Sequence, residues 1–202
     1  DSIKHATFYL LQIRPIVDNK EFLDEDLSKI KKEDTLLQSS SVLGHGVVSD
    51  VQDVIYVKSG NFDSNSNQLI AREIEKMNRK FTDSDKNYVL IGPGRWGSSD
   101  PWLGIPVKWP HICNARVIVE CGLKDNHIDP SQGTHFFQNL TSFGVGYFTI
   151  NTYRNDGWCD TQYLDSFPAV EETQYVKHVH FNKPIIIKMD GKRSIGVVMK
   201  SD

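Results

Sequence analysis

Most apolar residues in this chain fall in short runs of strand length, and only one stretch repeats them at helical spacing. The runs at 43–48, 51–57, 88–91, 116–120, 147–150, 176–181, 184–189 and 194–199 are rich in valine, isoleucine and aromatic residues. Such side chains suit a pleated, buried surface. Residues 7–13, TFYLLQI, read as a further buried strand, ended by Arg14-Pro15. The exception is Ile70, Ile74, Met77 and Phe81, spaced i, i+4, i+7 and i+11, which predicts an amphipathic helix over 70–81. Turn and N-cap residues at 61–66 precede it, and Arg79 and Lys80 stand near its end, where the helix dipole favours cations. Many strands with few helices imply an α/β or α+β domain built on a mixed β-sheet.

A charged stretch at 18–34 carries Phe22, Leu23, Leu27 and Ile30 at helical spacing, as in a linker or surface helix. It divides the chain into a short segment at 1–17, this linker at 18–35, and a C-terminal α/β domain at 36–202. The opening residues run straight into a strand, as expected of an excerpt from a longer chain. A net charge of −3 gives no basic field for nucleic acid, although a few aimed donors suffice for a phosphate. No apolar run reaches the roughly 18 to 20 residues of a membrane span. The cysteines, Cys113, Cys121 and Cys159, are odd in number and lack CxxC spacing. That argues against a zinc site or disulfide framework and leads us to expect a cytoplasmic protein with no bound metal.

The residues suited to chemistry form three groups. Gln12 and Arg14 share one face at the end of the first strand, where an amide and a guanidinium suit phosphate oxygens or simply meet solvent. Gly92, Gly94, Arg95 and Ser98 belong to a glycine-rich loop after a strand; it is either an anion cradle of backbone amides or a rigid turn pinned by Trp96, Trp102 and Trp109. Ser131, Gln132, Thr134 and His135 precede an apolar segment. They form either a helix cap with a structural histidine or a phosphate site in which His135 acts as nucleophile. His178 and His180 alternate on one strand face without an evident third metal ligand.

The run FYLLQIRPI resembles the closing strand of the ATP-grasp domain in phosphoenolpyruvate synthases and pyruvate phosphate dikinases. Leu11, Gln12 and Arg14 match its leucine-glutamine-x-arginine signature, whose Gln and Arg face the ATP phosphates in that family. The resemblance implies that 1–17 ends such a domain, with ATP and Mg bound by the parent protein. Thr134, His135 and Gly144 resemble the family's phosphohistidine motif. Here the residue usually found between Thr and His is missing, and Phe136 and Phe137 replace small residues. In that reading the chain is the C-terminal part of an ATP-dependent phosphotransferase, inactive alone, whose partner is the upstream ATP-grasp domain. The family's large phosphoenolpyruvate-binding barrel does not fit in the stretch after His135. The other reading is a non-catalytic accessory or regulatory domain that binds a small phosphorylated or carboxylated ligand. If Arg14 meets a phosphate in a desolvated cleft, Arg14→Ala in the parent protein weakens ATP-dependent activity by roughly 2–4 kcal/mol. Steady-state kinetics check this, and unchanged turnover and ATP affinity would make Arg14 a surface residue.

Overall fold

Strand pairing in this fold is best read from the parity of buried residues. The computed structural model describes residues 23, 25–58, 65–122, 139–140, 142–151 and 156–201. The segment 1–17 and its predicted strand lie outside them. In chain order the strands are β1 (Thr35–Ser39), β2 (Val42–Leu43), β3 (Gly46–Val57), β4 (Tyr88–Pro93), β5 (Arg95–Trp96), β6 (Gly104–Ile105) and β7 (Ala115–Cys121). They continue as β8 (Gly146–Ile150), β9 (Gly157–Cys159), β10 (Ala169–Glu172), β11 (Val176–Asp190) and β12 (Ile195–Met199). Helix α1 spans Asn67–Ser84 and helix α2 spans Thr161–Asp165. This is a mixed α/β fold.

One large sheet runs in the order β2-β8-β7-β4-β3-β11-β12-β1-β9, with β10 added beside β11. Neighbours β3, β4, β7 and β8 are parallel. Every other pair in this sheet is antiparallel. Because side chains alternate across a strand, each strand contributes to two cores. Val54, Tyr56, Val89, Ile91, Val117, Val119, Phe148 and Ile150 pack on the inner face with Val179, Ile187 and Met189. Ile55, Tyr88, Leu90, Ile118 and Tyr147 point the other way, onto Ile70, Ile74, Met77 and Phe81 of α1.

The sheet curls until its two ends meet. The amide of Thr149 in β8 donates to the Ser41 carbonyl at 3.0 Å, just beyond β1. The Ser39 hydroxyl of β1 donates to the Thr149 carbonyl at 2.6 Å. Phe148, fully buried, lays its ring over Gly196 of β12, so β8 and β12 face each other through the inner core. Helix α2 follows β9 directly. Asp160 caps it by accepting from the Tyr163 amide at 3.0 Å, and Leu164 enters the inner core. Its far end is held by Tyr56, whose hydroxyl donates to Asp165 at 2.5 Å, and by buried Lys177, which donates to the Asp165 carbonyl at 3.1 Å. Lysine at a helix C-terminus also meets the negative end of the dipole.

Several expectations need adjustment. Residues 27–34 form two short 3-10 turns, Leu27–Lys29 and Lys32–Asp34, rather than part of a continuous helix. Leu27 alone of these eight positions is buried. The two strands expected at 43–48 and 51–57 meet in one β3 from Gly46, within which exposed Ser49 and Asp50 mark a register shift: Val48 pairs with Ile187 and Val51 with Ile185. The runs at 176–181 and 184–189 likewise form one long β11, with a register shift between His180 and Ile185. Phe148→Ala empties the place where the curl closes, and we expect it to cost about 3–5 kcal/mol. Chemical denaturation checks this; a loss below about 1 kcal/mol would mean the inner core does not depend on closure.

Candidate functional site

Antiparallel pairing of β11 with β3 sets His180 opposite Asp53 and His178 opposite Ile55. Odd positions of β3 and even positions of this part of β11 face α1, so one carboxylate and two imidazoles share a face. Asp53 Oδ1 lies 2.7 Å from His178 Nε2 and 3.0 Å from His180 Nδ1. Asp53 and His178 are buried, while His180 is 39% exposed by its side chain and forms the rim. Burial pushes the Asp53 carboxyl up, but hydrogen bonds from His178 and then His180 outweigh it and hold the group below the usual carboxylate range. An ionised Asp53 only accepts, so each ring carries hydrogen on the nitrogen facing it. In neutral rings that leaves His178 Nδ1 and His180 Nε2 as lone-pair nitrogens.

Helix α1 ends at Ser84 on the left-handed residue Asp85, φ 52°, and its last two turns run beside this cluster. A cavity of about 390 Å³ results, with Asp53, His178 and His180 on one wall. Met77 and Phe81 make an apolar floor, and the Phe81 ring meets His178 edge-on at 5.2 Å. Lys80, Lys86, Ser84, Val170 and Glu171 complete the lining. Lys80 pairs with Glu171 at 2.6 Å. Lys86 makes no ion pair among the described residues. Two lysines balance two carboxylates in this lining, and each histidine adds one ring nitrogen not engaged by Asp53.

This cluster is not arranged for a metal. Both imidazoles converge on the carboxylate oxygen itself, and among the described residues no group of three His, Cys, Asp or Glu side chains is placed to hold an ion. From the sequence His178 and His180 form a pair without a third member. The missing group comes from a strand 125 residues away. The available signal was a charged residue inside the apolar run VQDVIYV.

The glycine-rich loop lies at the opposite end of β4. Tyr88 pairs with Asp53 at the start of that strand, whereas Gly92 and Pro93 finish it. Its amides already have acceptors within the protein: Gly94 donates to the Cys121 carbonyl at 2.9 Å, Arg95 to Leu103 at 2.8 Å and Gly97 to Ile105 at 2.8 Å. Trp96 donates its amide to Glu120 at 2.9 Å and its indole N–H to the Val119 carbonyl at 3.0 Å. A side chain at Gly92 would collide with the Trp96 indole, and Gly94 sits at φ +75°. The Ser98 hydroxyl bonds with the backbone of Asp100. These residues therefore build a turn around a buried tryptophan, with no cradle of amides at 94–97. Glu120, fully buried, anchors that turn and also accepts from the Tyr147 hydroxyl at 2.5 Å.

Gln12, Arg14, Ser131, Gln132, Thr134 and His135 lie outside the described residues, and so does the expected convergence of 131–139 with the glycine loop. No helix of the described residues is long and apolar enough to cross a membrane. Comparison with protein-family models, curated proteins and solved structures found no match.

Removing the Asp53 charge leaves two imidazole donors facing a poorer acceptor. Asp53→Asn is expected to cost about 1–3 kcal/mol at neutral pH. Because the folded carboxyl sits below its unfolded value near 3.9, this contribution is fully present above about pH 4–5 and is lost as pH falls through the folded value. Denaturation of wild type and variant across pH 7 to 2 checks this; a constant difference would deny that the ionised carboxylate is what matters.

Proposed function

We propose that the chain is the C-terminal part of an ATP-dependent phosphotransferase resembling the phosphoenolpyruvate synthases and pyruvate phosphate dikinases. In this reading residues 1–17 close an upstream ATP-grasp domain, with Gln12 and Arg14 turned to the triphosphate. The sheet domain acts by binding, as an accessory module for a small phosphorylated or carboxylated ligand. One observation carries that assignment: the cavity beneath the end of α1 gathers Lys80, Lys86, His178 and His180 over an apolar floor. Small-molecule sites are commonly mostly apolar hollows with a few aimed polar groups. A phosphate or carboxylate meets lysines and imidazolium donors at the rim, while Met77 and Phe81 take the organic part. Asp53 orients both rings, and in the protonated state keeps their charge from standing alone in a buried place.

Lys80, Lys86 and the ring nitrogens turned away from Asp53 are the groups that would meet the anion. Titration of the purified chain with inorganic phosphate, followed by calorimetry and by imidazole chemical shifts, tests the reading. A dissociation constant on the order of 1 mM is expected at pH 6, with chloride ineffective. Lys86→Gln should weaken it several-fold without altering stability. No binding at tens of millimolar phosphate, or binding indifferent to Lys86 and His180, would overturn the assignment.

A further inference from the structure

The cavity beside the last turns of α1 is bounded on one side by β10, which stands outside the main order of the sheet. Among the described residues β10 pairs with β11 alone, Glu171 opposite His178 and Glu172 opposite Lys177. Residues directly opposite on neighbouring strands share a face. Glu171 therefore stands on the face that carries His178 and receives α1. A register shift falls between Ala169 and Glu171, and Val170 within it also lines the cavity, 60% exposed. Consecutive residues of a regular strand turn to opposite faces, whereas a bulge at a sheet edge re-aims side chains.

From the helix, Met77, Lys80, Phe81 and Ser84 line the same hollow at i, i+3, i+4 and i+7. The Lys80 ammonium reaches the Glu171 carboxylate at 2.6 Å, so the ion pair joins α1 to β10 along the cavity wall. The Lys80 side chain is 60% exposed and that of Glu171 21%, which leaves the lysine free to change partners. The turn after β10 is tied down separately. Thr173 donates to Glu73 of α1 at 2.6 Å, and Lys58, just beyond β3, donates to Glu172 at 2.8 Å and to the Thr173 carbonyl at 2.7 Å.

We propose that Glu171 is an internal competitor at this site: its carboxylate holds, on Lys80, the place that the ligand's anionic group takes. This inference rests on the anion-binding reading of the cavity and adds what sets its affinity. A carboxylate on a lysine has the charge and the acceptor oxygens that a ligand phosphate or carboxylate brings. Binding then exchanges one oxyanion for another at Lys80 Nζ, and the exchange costs little because an exposed ion pair is weak. The released Glu171 turns to solvent from an edge strand that Thr173 and Lys58 still anchor. An entering anion has to do better on Lys80 than a carboxylate already in place, which discriminates against chloride and favours oxyanions on an organic body that also covers Met77 and Phe81.

The test compares the whole chain with Glu171→Gln, Lys80→Gln and the double variant, each titrated with inorganic phosphate at pH 6 and followed by imidazole chemical shifts. Glu171→Gln should tighten phosphate binding roughly three- to five-fold, and Lys80→Gln should weaken it by a similar factor. In the Lys80→Gln background the gain from Glu171→Gln should largely vanish, because the two residues act through one contact. Phosphate bound by the wild type but no more tightly by Glu171→Gln, or a gain as large without Lys80, would overturn the competitor and leave the anion site standing. No binding by wild type and Glu171→Gln alike would overturn both.

Discussion

Everything else in this fold depends on closure of the curled sheet at Thr149. An open edge exposes unpaired N–H and C=O groups, which water or another strand must satisfy. Here the Thr149 amide and carbonyl are both taken up, by the Ser41 carbonyl and the Ser39 hydroxyl. The inner face can then exclude water completely, and Val54, Val89, Val117, Phe148 and Ile187 are all fully buried. Helix α2 stops one end, and its polar terminus is answered by Tyr56 and Lys177 from within. Burial and the Asp165 carboxylate hold the Tyr56 phenol protonated far beyond ordinary pH, so it remains a donor.

A filled interior leaves chemistry to the outer face. There α1 covers β3, β4 and β7, and a hollow remains between its last two turns, β10 and the adjoining parts of β3 and β11. Asp53 stands at that border. Its carboxylate is too buried for water to serve it, and two imidazoles supply what water would have. The same contacts that stabilise the anion fix the rings and aim their remaining nitrogens. Folding and binding are thus linked through one charge, as expected when a buried ionised group is hydrogen-bonded at a cavity wall.

Much of this was legible in the sequence where the signal is local. The period of Ile70, Ile74, Met77 and Phe81 marks α1, and the apolar runs at 88–91 and 116–120 mark β4 and β7. Local signals also misled. Ser49 and Asp50 look like the end of a strand, but they are an exposed register shift inside one strand that resumes at Val51. The glycines at 92 and 94 look like an anion cradle, but Trp96 fills the space that one of them leaves and protein carbonyls take the amides. What depends on distant pairing was not legible at all. Asp53 meets its histidines only through the β3–β11 register. Strand β1, read as following a linker, is recognisable only once β12 and β9 flank it.

The central claim is that ionised Asp53 holds both imidazoles by the nitrogens that face it. Long-range nitrogen–proton NMR correlation of the histidine side chains in the chain, at a pH where both rings are neutral, measures this directly. The account predicts a single tautomer for each ring, with the proton on Nε2 of His178 and on Nδ1 of His180, and a shift of His180 Nε2 when phosphate is added. Rapid averaging between tautomers, or a proton fixed on Nε2 of His180, would contradict it.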